Sequence, residues 1–364
     1  MALQARVLQV DASPGALQDY FEAQGWTDGL PVVPPTPELV AAMVEGSGLA
    51  PGDAVAVVAP SLAVATVEKL AINAVMAGCR PIYMPVLIAA FRAMAEPAFN
   101  LAGIQATTHP VAPLVWVNGP IRKEIGLNCG SNVFGQGFRA NATIGRAVRL
   151  VLMNIGQGIP GRTDMATHGT ACKFTYCAGE NEEASPWEPY HVEQGLAPEE
   201  SLVMVHGAEA PHNVQDHASN NAHELLLTVA EAMDLVGSNN MGFGGEMIVV
   251  LGPEHASILA RDGMSKDDVR QDLYRRLRLR FDRIGTALRD WYRNMRPAFD
   301  TGPEVAEIPF FDDPQQIVIM VAGGAGLHSV VIPSFGITHL ATQRVENAGR
   351  ARAAEPRSRK VANA

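Results

Sequence analysis

The sequence predicts an α/β protein with a mixed or parallel sheet and flanking helices, and three observations carry that expectation. Short apolar runs at Ala112–Val117, Met247–Leu251 and Ile317–Val321 have the length and β-branched content of buried strands. Longer apolar stretches with helical stop signals lie between them, the alternation that builds α/β domains. Each strand run also ends in a glycine-bearing turn: Gly119-Pro120, Gly252-Pro253 and Gly323-Gly324. Ligands of such folds collect beyond the carboxyl ends of the strands.

Taken in order, residues 1–50 read as an N-terminal proline-rich arm and a short helix. Leu30–Glu38 holds four prolines in nine residues, so its backbone is extended and cannot pair inside a sheet. Thr36 then caps a helix with Pro37 at its first position and Gly46 near its end. Residues 51–342 read as the α/β catalytic region, with room for two lobes. There Val64–Ala77 and Tyr83–Ala95 read as helices, closed by Gly78 and by the approach of Pro97, and apolar enough to be buried. Ile121–Ile125, Ala222–Leu235 and Glu254–Arg261 complete the helices. The phrase Gly130-Ser131-Asn132 returns as Gly237-Ser238-Asn239, and a strand running into Gly-Pro occurs twice, which suggests an internal pseudo-repeat. The order of phrase and strand differs between the copies. Residues 343–364 are polar and basic without apolar periodicity, as expected of a disordered tail.

Composition narrows the function classes. The 364 residues are 47% hydrophobic and 18% charged, with a net charge of -10, a poor match to nucleic-acid phosphates. The arginines at 275, 276, 278, 280 and 283 alternate with Leu277, Leu279 and Phe281, read as a solvated helix face. No run approaches the ~18 apolar residues of a membrane span, and Met1–Gly15 lacks the charged and apolar regions of a signal peptide. Four cysteines are too few for a disulfide scaffold of this length. The expectation is a cytoplasmic homo-oligomer with free thiols, acting on a small molecule and on neither nucleic acid nor membrane.

Three segments concentrate reactive side chains. His168–Glu183 packs Cys172, Cys177, Lys173, Glu180, Glu182 and Glu183 into sixteen residues. A nearby cation can lower a thiol's pKa and a half-buried glutamate can act as a base, so Cys177 and Cys172 are candidate nucleophiles and Glu180 and Glu182 candidate bases. The alternative is a strand, Lys173–Cys177, with buried thiols and a solvated acidic loop. Next, His206, His212, His217 and His223 put four of ten histidines in eighteen residues. His212 and His217 are candidates for proton transfer, and together with Asp216 for a divalent metal; no standard metal motif fits, and the residues point to no cofactor beyond that ion. Finally, Ala322-Gly323-Gly324-Ala325-Gly326-Leu327-His328-Ser329 follows a strand. Successive N–H groups of such a turn can cradle an anion, so Gly323, Gly324, His328 and Ser329 are candidate binding residues. The Ser131-Asn132 and Ser238-Asn239 loops invite the same reading, and His109, before the first Gly-Pro strand, joins them. Lys69 interrupts an apolar helix and faces either a cleft or, by snorkelling, the solvent.

The phrases Asp28–Thr36, Thr66–Cys79, Ala184–Pro189 and Ala322–Ser329 resemble a family of bacterial proteins related to, or encoded beside, small domains with a selenocysteine- or cysteine-Gly-Ser-Cys motif. The resemblance spans most of residues 20–340. It implies thiol or selenol chemistry on a small substrate. Here Cys129-Gly130-Ser131 is followed by Asn132, so a redox thiol of that type would come from a separate thiol or selenol protein as partner. Three roles follow: an enzyme or subunit using thiol and His/Glu acid–base chemistry, a metal-dependent hydrolase or lyase, or a non-catalytic partner of a thiol or selenol protein.

Overall fold

A computed structural model of the chain describes residues 3–11, 13–296 and 305–346. Helices α1 (Pro14–Ala23) and α2 (Pro37–Ser47) lead into a hairpin of β1 (Ala54–Val58) and β2 (Ala63–Thr66), followed by α3 (Val67–Ala77), α4 (Met84–Met94) and α5 (Leu101–Gln105). The Thr36 hydroxyl caps α2 by accepting from the Leu39 N–H. Gly46 lies next to last in that helix, as expected, and Gly48 closes it in the left-handed region at φ 69°. Gly46 is needed for close approach, since a Cβ there would lie 2.5 Å from the Pro81 carbonyl oxygen. Helix α3 starts later than the sequence suggests because Ala63–Thr66 pairs with β1.

Next come β3 (Ala112–Asn118), α6 (Ile121–Glu124), α7 (Arg139–Asn154), β4 (Cys177–Gly179), α8 (Tyr190–Glu193), β5 (Leu202–Ala208) and β6 (His212–Gln215). A second series follows: α9 (Ala222–Met233), α10 (Asn239–Phe243), β7 (Met247–Leu251), α11 (Pro253–Arg261), α12 (Lys266–Arg276), β8 (Arg278–Arg280), α13 (Thr286–Met295), β9 (Glu307–Pro309), β10 (Ile317–Val321), β11 (His328–Ile332) and β12 (Ala341–Arg344).

Two mixed four-stranded sheets organise the molecule, in the orders β12-β5-β3-β4 and β6-β11-β7-β10. In each, reading in that direction, the first two pairings are antiparallel and the third is parallel. The two halves therefore repeat one topology with their edge strands exchanged: β6 leaves the first half to pair with β11, and β12 returns to pair with β5. The two crossings touch, with Ala208 bridged to Ser334 and the Glu209 N–H on the Pro333 oxygen at 2.8 Å. The pseudo-repeat is thus one of strand order. The two Gly-Ser-Asn phrases do not correspond: one follows α6 and the other caps α10.

The sheets pack face to face. Ala112, Leu114 and Trp116 of β3 share one apolar layer with Ile248 and Val250 of β7 and Val318 and Met320 of β10. Their alternates point outward, Val115 and Val117 toward α3, α4 and α7, and Val249, Leu251, Ile319 and Val321 toward α9, α11 and α12. Strand periodicity thus yields four layers, helices–sheet–sheet–helices. Among the described residues no single helix is long and apolar enough to cross a membrane, and the bent pair Pro81–Met94 and Pro97–Gln105 lies largely in the core.

Two sequence readings change here. The arginine-rich stretch is not one helix face: α12 stops at Arg276, and Arg278-Leu279-Arg280 alternates as strand β8 with Leu279 buried. Gln343 and Arg344 belong to β12 and Val345 is buried, so the disorder expected from 343 does not hold for those residues; the expectation for 347–364 lies outside the described residues.

Candidate functional site

The Gly-Pro turns after β3 and β7 each meet a serine hydroxyl but differ in backbone, Gly119 being left-handed at φ 86° and Gly252 extended at φ -63°. After β3 the Ile121 N–H bonds the Ser201 hydroxyl at 3.1 Å, and after β7 the Gly252 N–H bonds the Ser329 hydroxyl at 3.2 Å. In the first half the space beyond the turn is filled by paired charged side chains. Arg122 pairs with Glu182 at 2.5 Å and Glu183 at 3.1 Å, and donates to the Glu180 carbonyl at 2.7 Å. Glu180, fully buried, accepts from Asn118 Nδ2 at 2.5 Å and the Tyr190 N–H at 2.8 Å, with Lys266 at 3.5 Å. Lys266 reaches Glu193 at 3.2 Å, which also pairs with Arg270. Burial pushes the Glu180 carboxyl up, against the pull of Lys266, Tyr190 and Asn118. Glu180 and Glu182, candidate bases by sequence, are instead parts of a closed structural network.

In the second half the matching place is open. A cavity of about 240 Å³ is lined by Ser131–Phe134, Val250, Gly252, Ala322–Gly326, His328, Ser329 and Val330. That is below the ~300–1,000 Å³ of drug-sized sites. Ser131 and Asn132 come from the first half and lie over the second. Gly324 makes this approach possible: a Cβ on it would sit 1.8 Å from Ser131 Oγ. The glycine turn is pinned at Gly323, whose N–H bonds the Cys129 carbonyl at 2.9 Å, and at Gly326, whose N–H bonds Glu254 Oε1 at 2.9 Å. Between them, no acceptor among the described residues pairs with the N–H groups of Gly324 and Ala325. No charged side chain lines the cavity.

At the mouth, His328 Nε2 lies 3.2 Å from His217 Nε2, with the rings nearly perpendicular at 88°. His328 Nδ1 faces Asn213 Oδ1 at 3.2 Å. Behind them, His255 is fully buried, its Nε2 3.1 Å from the Asp216 carbonyl and its Nδ1 2.8 Å from Ser329 Oγ. A carbonyl only accepts, so Nε2 carries the proton and Nδ1 accepts from Ser329. The Ser329 hydroxyl is therefore turned toward His255.

Of the residues singled out by sequence, Ser131, Asn132, Gly323, Gly324, His328 and Ser329 line this cavity and His217 stands at its edge. The others are elsewhere. His212 pairs opposite Val331, on the strand face away from His328. The Asp216 carboxylate caps the turn, accepting from Ala218 and Ser219 N–H and, at 2.7 Å, from the Thr228 hydroxyl. Against the upward pull of burial, those donors hold its carboxyl well below the usual range. The expected His212–His217–Asp216 ligand set is thus not assembled, and among the described residues no three His, Cys, Asp or Glu side chains gather as for a metal.

Cys177 is buried among the helix-side apolar residues of β4, and burial pushes its thiol far up. Cys172 is half-buried and also raised by burial, and Lys173 bonds Asp164 rather than either sulfur. Lys69 is exposed and donates to the Val64 carbonyl at 2.8 Å, the snorkelling alternative. His109 pairs with Glu209 at 2.8 Å and stacks on Phe335. Ser238 caps α10, and Asn239 accepts from the Gly336 N–H at 2.7 Å. Sequence reading missed Asn213, Glu254 and His255. His255 had a usable signal, a histidine two residues after a strand-ending Gly-Pro. Comparison with protein-family models and with curated proteins finds no match for this sequence.

Proposed function

We propose that this protein is an enzyme, or the substrate-binding subunit of one, acting on a small polar or anionic molecule held in the Ser131–Gly324–His328 cleft, with the facing imidazoles of His217 and His328 as its reactive groups. One observation carries the proposal: segments more than a hundred residues apart in sequence converge on one small cavity, lined by a glycine turn whose Gly324 and Ala325 N–H groups pair with no acceptor among the described residues and by His328, which contacts His217. Two adjacent N–H groups beside a hydroxyl suit a carboxylate or phosphate oxygen. Apolar Val133, Phe134, Val250 and Val330 leave room for a short hydrocarbon body. Imidazole is the usual side chain for proton transfer near neutral pH.

Thiol chemistry forms no part of this proposal, because neither Cys172 nor Cys177 lines the cleft and burial disfavours both thiolates. The test is calorimetric titration of the purified chain with inorganic phosphate, acetate and glycolate, alongside Gly324→Ala. The proposal expects at least one of these anions to bind one-to-one and to lose about tenfold or more in affinity in the variant, the equivalent of about 1.4 kcal/mol of the overpacking at Ser131. Equal binding to both proteins, or none to either, rejects the cleft as the ligand site.

A further inference from the structure

We infer that His217 and His328 together hold a divalent transition-metal ion of the zinc, nickel, cobalt or copper class, with the remaining coordination positions facing the cleft. The geometry of the imidazole pair is the first reason. Two nitrogens bound to one ion through bonds of about 2.0–2.1 Å near the tetrahedral angle stand about 3.3 Å apart. The two Nε2 atoms are 3.2 Å apart, and the ring centroids only 4.9 Å apart. Without an ion this contact is an N–H···N hydrogen bond, and an ion could replace its proton at nearly the same N···N separation.

Tautomer control is the second reason, and it is independent of the first. Asn213 Oδ1 is an acceptor, so His328 Nδ1 carries the proton and Nε2 presents its lone pair. This is the supporting contact that orients a metal-binding histidine. Both ligands also stand on stiff supports. His328 begins β11 and pairs opposite Gln215 of β6. His217 follows Asp216, whose carboxylate fastens Ala218, Ser219 and Thr228 and whose carbonyl faces His255. The set differs from the one expected by sequence: His328 replaces His212, and Asp216 supports without ligating.

Two protein ligands leave positions open, unlike a structural zinc site closed by four. A bound water or an oxygen of the cleft's ligand would complete the shell, and such an ion lowers the pKa of bound water. The binding of the ion depends only on the two histidines; with the ion bound they no longer move protons themselves, that role would pass to its bound water, and its use in chemistry rests on the cleft being the ligand site as proposed above.

The test uses the full chain stripped with chelator, titrated with Co2+ by visible absorption and then with Zn2+ in competition. One equivalent should bind at micromolar concentration, with a histidine-ligand spectrum. His217→Ala and His328→Gln should each weaken it by about tenfold or more, and Asn213→Ala by about tenfold through loss of orientation. His212→Ala should leave it unchanged. Both histidines are exposed, so folding of the variants is checked by their melting temperatures. No binding up to millimolar metal, or binding that survives both histidine variants, overturns the inference. If phosphate or a carboxylate binds as proposed while metal does not, only this inference falls. If histidine-dependent metal binding persists without anion binding, the cleft reading falls and the metal site stands.

Discussion

Substituting Gly324 by alanine is the sharpest perturbation of the cleft. An alanine Cβ would lie 1.8 Å from Ser131 Oγ, 2.8 Å from Ser131 Cβ and 3.0 Å from Ser131 Cα. No rotation of the hydroxyl clears all three, so the Ser131 loop must retreat by about 1 Å to reach ordinary contact distance. Overpacking of this kind costs about 1–3 kcal/mol. At about 2 cal/mol/K of unfolding entropy per residue, 2 kcal/mol lowers the melting temperature of a chain this long by roughly 3 °C. Ser131→Gly removes the first two contacts and leaves only the Cα. The double variant should therefore recover most of the lost stability, giving a favourable coupling of about 1 kcal/mol or more in a double-mutant cycle. Differential scanning calorimetry of the four proteins measures it. A Gly324→Ala protein melting with the wild type, or a double variant no better than the sum of the singles, would refute the close approach of the two halves at this point.

Other expectations follow from the buried groups. His206 has both nitrogens buried without a hydrogen-bond partner, and burial pulls its pKa down to about 4 from 6.5. The unfolded chain takes up that proton first, so this contribution to stability is complete above pH about 6.5 and falls away by about 3 kcal/mol as pH drops toward 4. His206→Leu should flatten that acid limb relative to the wild type in denaturant titrations at several pH values; an unchanged slope would contradict the assignment. Lys266→Met leaves the buried Glu180 carboxylate without its cation and should cost about 3–5 kcal/mol, with Glu180→Gln added to it restoring part of the loss. In thiol labelling of the native protein, Cys172 should react slowly and Cys79 and Cys177 not at all until unfolding, since burial raises the Cys79 thiol to about 12 and Cys177 further. Rapid native-state labelling of Cys177 would place it outside the core.

The sequence made the α/β class legible because the strands β3, β7 and β10 are buried on both faces and read as unbroken apolar runs. Strands β6 and β11 did not announce themselves. Their polar members His212, Asn213, Gln215 and His328 face the solvent or the cleft, which breaks the apolar pattern. The glycine turn at Gly323–Gly326 lines a cavity, and a Cβ on Gly324 would collide with Ser131. Side-chain chemistry was harder to place. The segment around Cys177 looks reactive in one dimension, but alternation along β4 sends its thiol into hydrocarbon, while Glu180 beyond the strand end meets Lys266 of α12, far along the chain. Likewise His212 and His217 are near in sequence yet lie apart across a strand face, and His217 finds its partner at His328, 111 residues away.

Histidine-resolved NMR of the metal-free protein during titration with inorganic phosphate and with glycolate tests the central claim most directly. The account predicts that the imidazole resonances of His217 and His328 move together and saturate with at least one of these anions, while those of His109 and His206 stay in place. Resonances of His217 and His328 that ignore every anion, or a response confined to His109, would contradict it.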